Sequence, residues 1–177
     1  MRANVRSNIE LAAQVVIAIA VVIAAGVLVK RNVWPGPASG RIATISTGER
    51  LSLPNIDWAQ NKKSLVFFLK KDCPYCTSSA GLYRQLVEDA TKRNVKCIAV
   101  FPNTPEEARK YLQYIELPIE NVYTGPLGAS KINGTPTVLF VDEGGIVRSV
   151  WIGAQTDRER EMRDKLLTLF ESESALK

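Results

Sequence analysis

The stretch that decides the fold is "SLVFFLKKDCPYCTSSAGLYRQLVEDATK", Ser64–Lys92. It opens on a compact apolar run, Ser64 to Lys70, which suits a strand buried on both faces of a sheet. From Pro74 to about Lys92 the periodicity changes. Leu82, Leu86 and Ala90 recur at helical spacing, and Tyr83 and Val87 widen the stripe. Arg84, Gln85, Glu88 and Asp89 take the wet side. Two of the three cysteines, Cys73 and Cys76, stand where strand gives way to helix, with Pro74 and Tyr75 between them.

Working outward, "NVKCIAVF" (Asn94 to Phe101) reads as a second buried strand, with Cys97 in it as a buried structural cysteine. The next helix has a clear start: Thr104 caps it, Pro105 takes the first position, and Glu107 completes a capping box. It stops before Pro118, and "NVYTGP" follows as a short extended piece. "TPTVLFV" and "IVRSVWIG" are two strands joined by a tight turn at Asp142–Gly145. A last helix starts at Thr156 with Glu159 in its capping box, and Met162, Leu166, Leu169 and Phe170 form its inner stripe. Upstream, residues 41–53 suggest a short hairpin turning at Thr47–Glu49. Helices that alternate with buried strands call for an α/β sandwich, with parallel strands in the middle and an antiparallel edge.

Residues 11–29, "LAAQVVIAIAVVIAAGVLV", hold Gln14 as their one strongly polar side chain. As a helix this run is about 28 Å long, close to the hydrocarbon thickness of a bilayer. The rival is a cleaved signal, with small residues at Ala24-Ala25-Gly26. The run continues past that point to Lys30-Arg31, which favours an anchor. Flanking Lys/Arg tie at two each, Arg2 and Arg6 against Lys30 and Arg31. A short tail before the span and a large domain after it suggest that the domain is sent across. The division expected is a tail (1–10), an anchor (11–29), a tether (30–43), a domain (44–171) and a C-terminal tail (172–177). Pro35, Gly36, Pro37 and Gly40 mark the tether, where Trp34 is either an interfacial or an ordinary packed indole.

The net charge of +5 is no nucleic-acid footprint. Four of the 23 Lys/Arg and one of the 18 Asp/Glu lie in the first 31 residues, which leaves the rest at +2. No stretch interleaves basic and aromatic residues, so no nucleic-acid partner is expected. The chain has no histidine. That excludes Ser–His and Cys–His nucleophile pairs, imidazole-held zinc or copper, and histidine-ligated haem.

Cys73 therefore sits at a helix start, where two free backbone N–H groups and the positive dipole end favour a thiolate over a thiol. Lys70 and Lys71 add favourable potential and Asp72 opposes it. Cys76, nearly one turn on and more buried, faces the same sulfur. The chemistry expected is attack by Cys73 on a disulfide, then displacement by Cys76. A four-ligand zinc site lacks a second cysteine pair, since only Cys97 remains. A static bridge at this spacing closes too small a loop to constrain much of the unfolded chain.

With "CPYC" after an apolar strand and "GTPT" (Gly134 to Thr137) before another, the sequence resembles the thioredoxin superfamily. It is similar in particular to the membrane-anchored TlpA/ResA-like thiol–disulfide oxidoreductases of the bacterial envelope, near the redoxin/AhpC-TSA group. The likeness runs from about Thr47 to Gly153. It implies a thioredoxin-like three-layer sandwich with a central mixed sheet, an N-terminal hairpin and one β-α insertion, preceded by a single transmembrane helix. The inserted unit is "KCIAVFPNTPEEARKYLQYIELP", and 63 positions separate Cys73 from Pro136. By resemblance Pro136 is cis and lies against the cysteine pair. Thr135 offers backbone hydrogen bonds to an incoming partner, and Pro74 and Tyr75 complete the binding surface. Cys73 is the nucleophile and Cys76 the resolving thiol, with no cofactor beyond that dithiol and no metal.

Implied partners are envelope protein thiols and disulfides, apocytochromes among them, and a dithiol electron donor. The implied location is the inner membrane, single-pass, with the domain on the periplasmic side. The chain departs from the pattern in lacking an acid on the strand "SLVFFL" or just after the pair, at Thr77, Ser78 and Ser79. A thiol peroxidase is the rival activity, but "FFLKKDC" lacks the proline and the hydroxyl residue that peroxidases place before the cysteine. A non-catalytic module, such as a copper carrier, lacks its histidine. Trp58 and Trp151 read as packing residues, Trp58 with a possible place at the site's rim. Tyr111 and Tyr114 read as helix surface or core.

Overall fold

The computed structural model describes residues 44–172. The expected anchor (11–29), the tether (30–43) and positions 173–177 lie outside the described residues. Among the described residues no helix is long and apolar enough to cross a membrane.

Strand β1 (Ser64–Phe68) is the centre of the molecule. All five of its side chains are buried, which a strand achieves only with both faces covered. Strand β2 (Lys96–Phe101) runs parallel on one side of it, followed by β3 (Asn121–Thr124), also parallel. On the other side stand β4 (Thr137–Val141) and β5 (Val147–Ile152), each antiparallel to its neighbour, so the order is β3-β2-β1-β4-β5. The expected parallel middle is thus a parallel half joined to an antiparallel half at β1.

Alternate residues of β1, and Leu69 just after it, enter two cores. Leu65, Phe67 and Leu69 join α3 (Ala80–Thr91), α4 (Pro105–Tyr114) and α5 (Glu159–Glu171) through Leu86, Leu112 and Leu166. Val66 and Phe68 meet Ile45, Leu51, Trp58 and Ile132. That second face is covered by the segment Ile45–Leu53, the short helix α1 (Trp58–Asn61) and residues around the 3-10 turn Leu127–Ser130. The expected three layers are therefore unequal, with long helices on one side only.

The N-terminal hairpin does not form among the described residues. The turn at Thr47-Gly48 is present, with Gly48 at φ +91°. Its flanks, however, bond elsewhere: Ile45 N donates to Lys131 O (3.0 Å), Gly48 N to Val147 O (2.8 Å) and Leu51 N to Gly145 O (2.8 Å). Pairing with Lys131 on one side and with the turn and start of β5 on the other buries Ile45 and Leu51, which a free hairpin would leave wet.

Three helix details also differ. The helix after the cysteines is broken at Ser79 (φ −87°, ψ 0°) into α2 (Pro74–Ser78) and α3, in a serine–glycine stretch of low helix propensity. Asp89 is buried, not wet, because Arg163 of α5 reaches it through two bonds (2.7 and 3.3 Å). Helix α5 begins at Glu159 without a side-chain cap. Gln155 Nε2 donates to Ile152 O and Gly153 O, which holds the preceding residues in turns. The capping box of α4 forms as the sequence predicts, with Thr104 and Glu107 bonded reciprocally.

Candidate active site

Antiparallel pairing decides where the site lies. Phe68, the last residue of β1, is opposite Thr137, the first of β4. The residues following one strand and those preceding the other are brought to the same edge of the sheet. These are Cys73 and the Thr135–Pro136 pair, and the Thr135–Pro136 peptide bond is cis.

Cys73 is the N-cap residue of α2 and Pro74 its first helical residue. Cys73 and Cys76 are joined as a disulfide, their Cα atoms 5.2 Å apart. Cys73 is 7% exposed and Cys76 fully buried, so a partner reaches the first sulfur and not the second. Cys76 N donates to Cys73 Sγ at 3.1 Å. The sequence predicts two N–H groups at this sulfur, and the structure supplies this one. The sulfur shares that N–H with Cys73 O (3.0 Å), and the Thr77 N–H is spent on Cys73 O alone (3.2 Å).

On its other side Cys73 Sγ lies 3.3 Å from Thr135 O, an acceptor for the proton of a reduced Cys73 at that distance. The sulfur therefore has one neighbour that favours the thiolate and one that favours the thiol. Tyr75 is 65% exposed beside the pair. Gly153 N donates to Pro136 O at 2.7 Å, which draws the end of β5 and exposed Ile152 against the same loop.

Charge around the pair differs from expectation. Lys71 Nζ meets Glu107 Oε1 at 2.5 Å, and Lys71 N donates to Asn103 Oδ1 at 3.2 Å. The Glu107 carboxylate holds the Lys71 ammonium above its usual pKa, and the ammonium holds Glu107 below its own. The positive potential assigned to Lys71 is thus largely countered at its source.

Some sequence readings place residues away from the pair. Trp58 is buried at the opposite end of the sheet against the Asp142–Gly145 turn, not at the rim. Trp151 packs beneath Arg158 (5.4 Å) and Lys165 (5.7 Å). Cys97 is half-buried rather than buried, and burial pushes its thiol up to about 12. Among the described residues no group of three His, Cys, Asp or Glu is placed to hold a metal ion.

The sequence reading missed the helix that leans on the pair. Tyr111 of α4 is 6% exposed, and its hydroxyl lies 3.0 Å from Thr77 Oγ1, one residue after Cys76. By sequence Tyr111 reads as surface or core; a stripe shared with Ala108 and Leu112 is the signal that places it in the core, and a buried tyrosine calls for a hydroxyl partner.

Comparison with solved structures gives the fold. A putative thiol:disulfide interchange protein DsbE from Chlorobium tepidum is 18% identical, with a TM-score of 0.57 over 72% of this chain and 99% of that one. A putative thioredoxin from Neisseria meningitidis is 20% identical, with a TM-score of 0.57 over 75% and 95%. Peroxidoxin BcpB from Mycobacterium tuberculosis is 15% identical, with a TM-score of 0.55 over 72% and 99%. The fold is thioredoxin-like α/β. Among curated proteins no sequence matches. The description of the AhpC/TSA family matches residues 43–150.

Proposed function

The chain belongs to the AhpC/TSA family, and on that premise we propose that it is a membrane-anchored thiol–disulfide oxidoreductase that works through Cys73 and Cys76. One observation carries the reading: two sulfurs able to bond stand at a helix start, the outer one 3.3 Å from the carbonyl that precedes Pro136.

In the reducing direction the Cys73 thiolate attacks a substrate disulfide. A Cys73–substrate S–S bond forms and one substrate thiolate leaves. Cys76 gives its proton to water and attacks Cys73 Sγ. The Cys73–Cys76 bridge forms and the second substrate thiolate leaves, so two electrons have passed from the dithiol to the substrate. A dithiol donor reverses the exchange and recharges the pair. Thr135 offers its backbone to the incoming strand, and Pro74, Tyr75 and Pro136 line its path.

The substrates are disulfides of envelope proteins, with cytochrome maturation or general envelope redox balance as the setting. Residues 11–29 hold the protein in the inner membrane with the domain on the periplasmic side. The apolar run and its basic flanks support that placement. A peroxidase reading is disfavoured by "FFLKKDC", which puts neither proline nor a hydroxyl residue ahead of Cys73.

Insulin reduction by dithiothreitol tests the reading. The protein accelerates it, and Cys73→Ser abolishes the acceleration. Turnover that survives Cys73→Ser, or peroxide consumption that needs Cys73 alone, overturns it.

A further inference from the structure

Helix α2 is five residues long, too short to persist by itself. Its first turn nevertheless fixes the contact between Cys76 N and Cys73 Sγ. That turn is organised around one atom, Cys73 O. It accepts from Cys76 N (3.0 Å) and Thr77 N (3.2 Å), and Thr77 Oγ1 lies 3.5 Å from it. The Thr77 hydroxyl in turn meets the Tyr111 hydroxyl at 3.0 Å.

We propose that Tyr111 and Thr77 are positioning residues for the exchange: their hydroxyl pair clamps the first turn of α2 to α4 and so keeps the Cys76 N–H aimed at the reactive sulfur. The inference rests on the oxidoreductase reading of Cys73.

The Tyr111 ring is set rigidly, edge-on to Phe101 at the end of β2 (centroids 6.0 Å apart). Burial raises the phenol above its ordinary pKa, so at neutrality it keeps its proton. With Tyr111 donating to Thr77 Oγ1, the Thr77 proton is free for Cys73 O, and the two bonds run in one direction. Glu107 of α4 and Asn103 just ahead of that helix also hold the loop before the cysteines, but the Lys71 and Glu107 side chains are each 39% exposed. An exposed pair of that kind contributes little. The half-buried hydroxyl contact carries the clamp.

The test is the rate at which iodoacetamide alkylates Cys73 in the reduced full-length chain at pH 7, read by peptide mass spectrometry. Tyr111→Phe keeps the ring and removes the hydroxyl, and Thr77→Val removes the other partner. Each slows alkylation about three- to tenfold, the rate equivalent of one hydrogen bond. The double variant is no slower than the worse single, and Thr77→Ser keeps the parent rate. Thr77 is exposed, so Thr77→Val keeps the test decisive should Tyr111→Phe unfold. Unchanged rates in both single variants, losses that multiply in the double variant, or a Thr77→Ser as slow as Thr77→Val each overturn the clamp and leave the oxidoreductase reading standing. A parent Cys73 no faster than an ordinary thiol overturns both.

Discussion

The three thiols of the reduced chain differ enough in setting for one reagent to sort them, and Cys97 supplies the sharpest number. It lies in β2, packed against the helical core, with Val95 O 4.0 Å from its sulfur. Burial, opposed weakly by Lys96, pushes its thiol up to about 12. An ordinary cysteine near 8.5 is about 3% thiolate at pH 7, and one near 12 is about 0.001%, so Cys97 reacts on the order of 10³-fold more slowly. Iodoacetamide labelling of the reduced protein at pH 7, followed by quantitation of the Cys97 peptide, reads this directly. Labelling within tenfold of a free thiol refutes the burial argument.

The same shift has a stability consequence. The folded value lies above the unfolded one, so the contribution is complete below about 9 and is lost as pH rises toward about 12. Three units correspond to roughly 4 kcal/mol as an upper figure. Urea midpoints taken from pH 8 to 11 fall along that window in the parent and less steeply in Cys97→Ala.

Cys76→Ser leaves Cys73 able to attack but not to be released, so a Cys73-linked mixed disulfide accumulates on non-reducing gels; its absence in the presence of a disulfide substrate contradicts the division of roles. Gly145→Ala places a methyl 2.7 Å from Trp58 Cδ1 at φ +76°, which costs about 2–4 kcal/mol in stability from crowding and backbone strain together. It lies at the far end of the sheet, so thermal unfolding drops markedly while insulin reduction at 25 °C is retained. Asp89→Ala removes the carboxylate that Arg163 of α5 reaches from solvent across α3 and lowers unfolding free energy by about 1–3 kcal/mol in urea titrations; an unchanged midpoint removes that bond from the account of how α3 holds α5.

The central strand, the cysteine helix and the Thr104 cap were legible because each is written locally. Five buried side chains in a row, a 3.6-residue stripe and a capping box need no distant partner to be recognised. The failures share the opposite property. The segment 45–51 looks like half of a hairpin until Lys131, Gly145 and Val147 compete for its backbone. Asp89 lies at a polar position of its own helix and is buried only because Arg163 approaches from 74 residues away. The Tyr111–Thr77 contact spans 34 residues, and nothing in either local pattern announces the other. Cysteine spacing pointed to the pair that the structure joins, but the count of N–H groups at Cys73 depended on where Thr77 N was already committed.

The register of a single strand pair explains why the two motifs meet. Strand β1 ends five residues before Cys73, and β4 begins one residue after Pro136. Pairing them antiparallel sets the end of one beside the start of the other, Phe68 opposite Thr137. Had β4 run parallel to β1, Pro136 would lie at the other end of a five-residue strand, about 13–17 Å from the sulfur at 3.3 Å per residue. The parallel half of the sheet does the complementary work. Strand β2 ends on the same side as β1, with Leu69 N bonded to Val100 O, and so delivers α4 and Tyr111 to the back of α2. The cysteine turn is therefore met from both halves of a mixed sheet, by a carbonyl beside its sulfur from the antiparallel side and a hydroxyl from the parallel side. A fully parallel or fully antiparallel sheet of these strands would supply only one of them.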